Sequence, residues 1–117
     1  MQVMPGMNQV WSLSTSIALV PPRFQSLTLF AAVPNPFNPR TEISYVLTDP
    51  GQVDLRIHDL AGRLVRNLVR GDFREAGRHL AIWDGRDNGG LTVAAGTYFS
   101  RLQVEDQVRT GRMTLVK

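Results

Sequence analysis

The chain has 117 residues, of which 43% are hydrophobic and 20% charged, and it contains no cysteine. That length accommodates one domain plus a short segment, and the composition is that of a folded globular chain without disulfides, thiolate chemistry or cysteine-built zinc sites. The pI of about 10.2 results from the very high pKa of the arginine side chains. It does not indicate a strongly positive surface, because the net charge is only +3.

The sequence has no long apolar run. No segment approaches the ~18 consecutive apolar residues that a membrane-spanning helix requires. No Lys or Arg precedes Arg23, and Pro5-Gly6 interrupts the place where the apolar part of a signal peptide would lie. We therefore expect no membrane span and no signal peptide in this sequence.

Residues 10–20 alternate between apolar and small side chains. The apolar face begins at Trp11 and ends at Leu19, and this period of two predicts a β-strand. The Pro-Pro pair at 21–22 predicts an extended linker, because proline donates no hydrogen bond to a sheet. The strand is either the last strand of a missing upstream domain, which we favour, or an added edge strand of the domain that follows.

From residue 27 onward, short strands and turns follow one another regularly. Turn signals recur about every 8 to 12 residues, which is typical of an all-β sandwich or barrel. We predict an Ig-like antiparallel β-sandwich over residues 27–117, with residues 1–26 as an N-terminal strand and proline-rich linker. The seven predicted strands are Leu27–Val33, Thr41–Thr48, Gln52–His58, Arg63–Val69, Gly77–Trp83, Gly96–Val104 and Arg109–Lys117.

The alternation within these strands also predicts which side chains form the core. Apolar residues at every second position share one face, and the other face is left to solvent. The predicted core residues are Ile43, Tyr45, Leu47, Val53, Leu55, Ile57, Tyr98, Leu102, Val104, Met113 and Leu115.

Three connections have clear turn chemistry. Asp49-Pro50-Gly51 combines a proline that presets φ with a glycine that accepts positive φ. Residues 59–62, Asp-Leu-Ala-Gly, predict a hairpin connection that ends on a glycine. The Asp-, Asn- and Gly-rich stretch at 84–90 also predicts a turn.

The run Asn35-Pro36-Phe37-Asn38-Pro39 is the most distinctive motif. Each proline fixes its own φ and drives the preceding asparagine out of the α region. We expect a stiff, extended segment that holds Phe37 as a plug over the end of the sandwich, with a binding role for this ring as the alternative.

No stretch supports a metal or catalytic site. If Asp84 is aligned with the first position of a calcium loop, Arg86 and Ala95 fall where oxygen ligands are required. His58 and His79 lack a third ligand at a recognisable spacing. Nucleophile-elbow, phosphate-loop and dinucleotide motifs are absent as well, so we predict no catalytic, cofactor or metal residues and no cofactor.

Five arginines in the middle of the chain are the feature that most resembles a basic surface stripe. Asp59, Asp72 and Glu75 lie among them, which favours a solvated, salt-bridged face over a nucleic-acid site. The arginines are Arg63, Arg66, Arg70, Arg74 and Arg78.

Five stretches, taken in chain order, resemble a known family. They are NPFNPRTEISYVL, VDLRIHDLAGRLVRNL, AGRHLAIWDGRDNGG, AAGTYFSRL and TGRMTLVK. Together they resemble the Ig-like domain named after the flagellar hook-capping protein, FlgD, and the overlapping C-terminal sorting domain of type IX secretion cargo, over about residues 27–117. The motif residues, with structural or recognition roles, are Asn35, Pro36, Phe37, Asn38, Pro39, Asp59, Gly62, Arg63, Trp83, Asp84, Gly85, Gly96, Tyr98 and Lys117.

The resemblance implies a module at the C-terminus of a larger exported bacterial protein. By similarity, a sorting role would fall on Tyr98–Leu102 and Arg112–Lys117, whereas the turn at 83–85 fits the hook-cap type better. The hook-assembly region of a true hook-capping protein is absent, so we expect no flagellar role. The implied location is secreted or cell-surface.

Three functional hypotheses follow. The favoured one is a non-enzymatic sorting or surface-attachment module whose partners are secretion machinery, cell-surface components or upstream domains of the same chain. The second is a passive structural or adhesive Ig-like domain. The third, a nucleic-acid-binding β-barrel, rests only on the pI and the arginines, and we expect no nucleic-acid partner.

Overall fold

A computed structural model describes residues 27–117, which form a two-layered antiparallel β-sandwich. One sheet has the order β1-β2-β5 and the other the order β4-β3-β6-β7. The predicted all-β, Ig-like sandwich is confirmed, and the barrel alternative is wrong for these residues because the strands form two separate sheets. The strands are β1 (Leu27–Leu29), β2 (Thr41–Leu47), β3 (Gly51–Asp59), β4 (Leu64–Arg74), β5 (Gly77–Trp83), β6 (Gly96–Val104) and β7 (Gln107–Leu115).

The hydrophobic core lies between the two sheets. Every second residue of β2, β3 and β6 points into it, which confirms the predicted core faces. Each large apolar side chain removed from water in this way stabilises the fold by about 1.5–3 kcal/mol. The largest fully buried side chains are Trp83, Tyr45, Phe37, Ile43, Leu55, Ile57, Leu102, Met113 and Leu115.

Strand β1 is shorter than the predicted Leu27–Val33. Regular pairing ends at Leu29, opposite Tyr45, and resumes as a single bridge between Val33 and Glu42. Between these two pairs the chain advances four residues from Leu29 to Val33 but only three from Tyr45 to Glu42. The extra residue forms a bulge that interrupts the strand.

Strand β4 is longer than predicted, because Arg63–Val69 was expected and Leu64–Arg74 is observed. Its pairing with β3 shifts three times, and the residues skipped on β4 are Val65, Leu68 and Gly71. Each bulge inserts one residue and resets the alternation of side chains. The sequence of β4 therefore does not show the period of two on which the prediction depended.

The remaining strand predictions agree closely with the structure. Strands β5 and β6 have the predicted bounds, and β7 begins two residues before the predicted Arg109 and ends at Leu115. The predicted strand at 10–20 and the linker after it lie outside the described residues. Residues 27–117 contain no helix long and apolar enough to cross a membrane.

Candidate functional site

Motif residues that are far apart in sequence meet at one end of the sandwich. The ring of Trp83 lies 5.4 Å from the ring of Phe37 and 5.2 Å, edge-on, from the ring of Tyr98. Phe37 and Trp83 are at most 1% exposed, and Tyr98 is 6% exposed. These three rings link the proline-rich segment before β2, the end of β5 and the start of β6.

The proline-rich segment is bound to the last strand. The backbone N–H of Phe37 donates to the carbonyl of Thr114 at 2.9 Å, and the N–H of Val116 donates to the carbonyl of Phe37 at 2.9 Å. The side chain of Asn35 accepts from the N–H of Thr114 and donates to the carbonyl of Arg112. We call residues 35–39 the strap, because they bond the outer edge of β7 over its last residues.

The turn after Trp83 is fastened to β4. The indole N–H of Trp83 donates to the carbonyl of Arg86 at 2.9 Å. The guanidinium of Arg66 donates to the same carbonyl and, at 3.0 Å, to the carboxylate of Asp84. Since Arg66 is on β4 in the other sheet, these bonds join the two layers at this end of the molecule.

Acidic and amide side chains organise the rest of this turn. The carboxylate of Asp87 accepts from the N–H groups of Gly89 and Leu91, both at 2.9 Å. Asn88 accepts from the N–H of Asn67 and donates its own N–H to the carbonyl of Val65. The interpretation of 84–90 as a turn stabilised by its own polar side chains is confirmed. Residues 27–117 hold no group of three potential metal ligands.

Gly85 brings the turn against the strap. Its φ of +76° lies in the left-handed region, and an added Cβ would stand 3.0 Å from the carbonyl oxygen of Pro39. Two constraints therefore select glycine here, an unusual backbone conformation and a close backbone approach.

Asp59 caps the hairpin between β3 and β4. Its carboxylate accepts from the N–H groups of Ala61 and Arg63 and from the Arg63 side chain, all within 3.0 Å. The pKa of Asp59 is lowered from its ordinary 3.8, first by the backbone hydrogen bond from Arg63 and then by the side chain and charge of that arginine. Gly62 completes the hairpin with a φ of +86°, as the turn prediction required.

Tyr98 lies between this hairpin and the long turn. Its hydroxyl donates to the carbonyl of Ala94 at 2.6 Å, the arrangement of a tyrosine corner in an Ig-like sandwich. Burial raises the pKa of Tyr98, and the negative charge of Asp59 raises it further.

An open depression of about 370 Å³ lies beside this tyrosine and is bordered by Asp59, Arg63, Asp87 and Tyr98. They form turns and ion pairs, and no nucleophile and base are hydrogen-bonded to each other there.

Other motif residues lie near this end but on its surface. Pro36, Asn38 and Pro39 are exposed parts of the strap, and Lys117 is exposed beyond the end of β7. Gly96 begins β6 with a φ of +153°.

Sequence reasoning missed the role of Arg66. Nothing distinguishes it from the other arginines of β4, because its partners Asp84 and Arg86 lie 18 and 20 positions away. The general expectation of a salt-bridged face is confirmed: Arg63, Arg66 and Arg74 each pair with an aspartate, at 3.0, 3.0 and 3.6 Å. Arg78 instead lies over the ring of Phe30, 4.8 Å from its centroid.

The two histidines belong to separate environments. His79 stacks on Tyr45 with centroids 5.4 Å apart, and its ring contacts the carbonyl of Glu75 at 2.7 Å. The ring of His58 lies 3.3 Å from the carbonyl of Gly62. Neither ring is part of a cluster of metal ligands in the described chain.

Comparison with known families gives one match. The family described as the FlgD Ig-like domain matches residues 38–107, more than half of the chain. No curated protein matches significantly.

Solved structures show the same fold within larger proteins. Dimeric latent PorU from Porphyromonas gingivalis aligns with 88% of this chain at 18% identity and a TM-score of 0.66, and FlgD from P. aeruginosa aligns with 64% at 24% identity and a TM-score of 0.52. The alkylpurine DNA glycosylase AlkC from Pseudomonas fluorescens, solved bound to DNA, aligns with 78% at 16% identity and a TM-score of 0.50. This chain spans only 10%, 59% and 30% of those structures, respectively. At these identities the likeness shows the fold alone.

Replacing Gly85 by alanine tests the contact between turn and strap. We expect Gly85→Ala to lower the free energy of unfolding by about 1–3 kcal/mol more than Gly90→Ala does. Gly90 is a matched control, because its φ of +87° is equally unusual while nothing lies within 4 Å of an added Cβ. Urea unfolding of both variants measures the difference. Equal losses would mean that the approach of Pro39 imposes no constraint.

The cap at Asp59 predicts a pH dependence. The pKa of Asp59 is lower in the folded chain than in the unfolded chain. The ionised carboxylate therefore stabilises the fold at pH values above the pKa of the unfolded chain. This stabilisation is lost as the pH falls through the pKa of the folded chain. Asp59→Asn should therefore reduce stability at about pH 7 and much less at about pH 2.5. Urea midpoints at both pH values measure this, and a pH-independent difference would contradict the cap.

Proposed function

The chain belongs to the FlgD Ig-like domain family, and on that premise we propose that residues 27–117 are a non-catalytic module that sorts, or attaches to the cell surface, a larger exported bacterial protein. Its partners would be proteins: secretion machinery, surface components or upstream domains of the same chain. The proposed location is secreted or cell-surface.

One observation carries this proposal. The family match ends at residue 107 and starts at residue 38, so most of β7 and the strap residues Asn35 to Phe37 lie outside it. These two outlying segments bind each other through Thr114 and Val116. Of the two segments to which the resemblance assigns sorting, Tyr98–Leu102 lies within the matched range, and Arg112–Lys117, beyond it, is held by hydrogen bonds to the strap.

The surface of this segment suits recognition by a protein. Arg112 is exposed on the outer face of β7 and pairs across the sheet with Phe99, and Lys117 is exposed at the end. The positive charges of Arg112 and Lys117 can steer an acidic partner without a deep pocket. Such recognition depends on a rigid backbone, which the strap supplies.

A passive structural role is the second candidate, and a different observation favours it. Phe37, Trp83 and Tyr98 are buried, so these motif residues serve the core and are not available as contacts. In that case the module would separate or support its neighbours without selecting a partner.

A secretion assay distinguishes the two candidates. The full chain is placed behind a periplasmic reporter in a host with type IX secretion, and the reporter outside the cell is measured. The sorting proposal predicts export of the reporter, and Arg112→Glu should reduce export while the periplasmic protein stays folded. Arg70→Glu, an exposed arginine on β4, is the matched control and should export normally.

Retention of the unmodified fusion in the periplasm would contradict sorting and leave the passive role. Equal export of both variants would show that Arg112 is not part of the recognised surface.

A further inference from the structure

Three of the four sheet edges in the described chain are shortened, bonded or distorted. Strand β1 has three residues only, and the side chain of Arg109 donates to the carbonyl of Leu27 at 2.9 Å. The strap bonds the last residues of β7. Strand β4 has three bulges, and Asn88 bonds its backbone at Asn67 and Val65. Short strands, bulges and covering segments are usual ways in which a sheet prevents unwanted pairing.

Strand β5 has none of these features within the described chain. The backbone groups of Glu42 and Ser44 in β2 bond residues on the β1 side. The residues of β2 that alternate with them therefore bond β5, and every second residue of β5 faces the opposite direction. The N–H and C=O groups that point away from β2 are those of Arg78, Leu80 and Ile82.

This free edge of β5 is apolar. The side chains of Leu80 and Ile82 are 56% and 41% exposed, and β5 pairs with β2 over seven residues without a register shift. The guanidinium of Arg78 is directed away from the edge, because it lies over the ring of Phe30, 4.8 Å from the centroid, and Phe30 bonds the far side of β2. A long apolar strand whose free edge carries no charge favours association with another strand.

The edge is complementary to itself. When two copies of β5 pair antiparallel about Leu80, this residue lies opposite Leu80 of the other copy, and Arg78 lies opposite Ile82. Every residue in these rows directs its backbone groups to the edge, so each row exchanges two hydrogen bonds. The pairing thus satisfies every N–H and C=O group that these three residues direct away from β2.

The side chains across such a junction also match. The opposed leucines remove apolar surface from water, and the aliphatic part of Arg78 can cover Ile82 of the second copy. The two copies of Arg78 are about 14 Å apart along the strands, which exceeds the screening length of about 8 Å at physiological ionic strength.

The charges favour the antiparallel arrangement over a parallel one. Glu42 neighbours Ile82 on β2, so it lies on the same row as Arg78 of the second copy, two strand spacings or about 10 Å away. Unlike charges are therefore closer than like charges. A parallel pairing in register would instead place the two arginines side by side, which is destabilising.

We propose that this chain forms a homodimer through β5, with the two strands antiparallel about Leu80 and the two three-stranded sheets joined into one of six strands. The contact is two-fold symmetric and closed, so it produces a dimer and no longer assembly. The proposal does not rest on the secretion role.

Sedimentation velocity of the full chain over a range of concentrations measures the association. We expect a monomer that converts to a dimer as the concentration rises. Leu80→Lys should weaken the association at least about tenfold, because two lysines would face each other in the central row. Leu60→Lys is the matched control, since this leucine lies in the hairpin between β3 and β4 and is 74% exposed. It should associate like the unmodified chain.

Single introduced cysteines test the register, because the chain has no cysteine of its own. In the proposed dimer the two residues at position 80 are directly opposed, with Cα atoms about 5.5 Å apart, which a disulfide can span. The two residues at position 82 are about 14 Å apart along the strands, which a disulfide cannot span. With oxidised glutathione, Leu80→Cys should form a disulfide-linked dimer at least about tenfold faster than Ile82→Cys.

A chain that stays monomeric at every concentration would overturn the proposal. A dimer that Leu80→Lys leaves intact would also overturn it, since another surface would then form the contact. Equal cross-linking rates of the two cysteine variants would do the same, because they would indicate random collision or a different register.

Discussion

The aromatic contact of Trp83 with Phe37 and Tyr98 is the interaction on which this end of the molecule depends. Aromatic pairs at such distances contribute about 0.5–1.5 kcal/mol beyond the area they bury. In antibody-type sandwiches a tryptophan packs on a disulfide that joins the two sheets, but this chain has no cysteine. Here the buried indole lies at the end of β5, in the three-stranded sheet, and packs against two further rings. No disulfide joins the two sheets, which are held together at this end by the packing of these rings and by the hydrogen bonds of Arg66.

The surrounding polar contacts follow from that packing. The indole N–H fixes the carbonyl of Arg86, which lets Arg66 bind the same carbonyl and connect β4 to the turn. Phe37 brings the strap onto β7, where two backbone hydrogen bonds hold the last residues of the chain. One buried ring system thus positions the turn, the strap and the C-terminal strand, and the proposed recognition surface inherits its rigidity from the core.

Local sequence pattern was sufficient for the fold where alternation is regular. In strands β2, β3 and β6 nearly every second residue is apolar, with Thr41 and Ser100 as buried polar exceptions, so both their bounds and their buried faces could be predicted. The bulges of β1 and β4 could not, because a bulge depends on the register of a partner that is distant in sequence. The motif residues were identifiable, but their convergence was not, since Phe37, Trp83 and Tyr98 meet only after the two sheets pack. The contacts of Arg66 have no local signal at all.

Unfolding of Trp83→Ala, followed by circular dichroism in urea, tests the central role of this contact most directly. Truncation of so large a buried ring removes its contacts with the strap and with β6 together. The account predicts a loss of about 3–5 kcal/mol in the free energy of unfolding, a large part of the stability of a domain of this size. Trp83→Phe, which keeps a ring between its two neighbours, should lose clearly less. A loss below about 1 kcal/mol for the alanine variant would contradict the account.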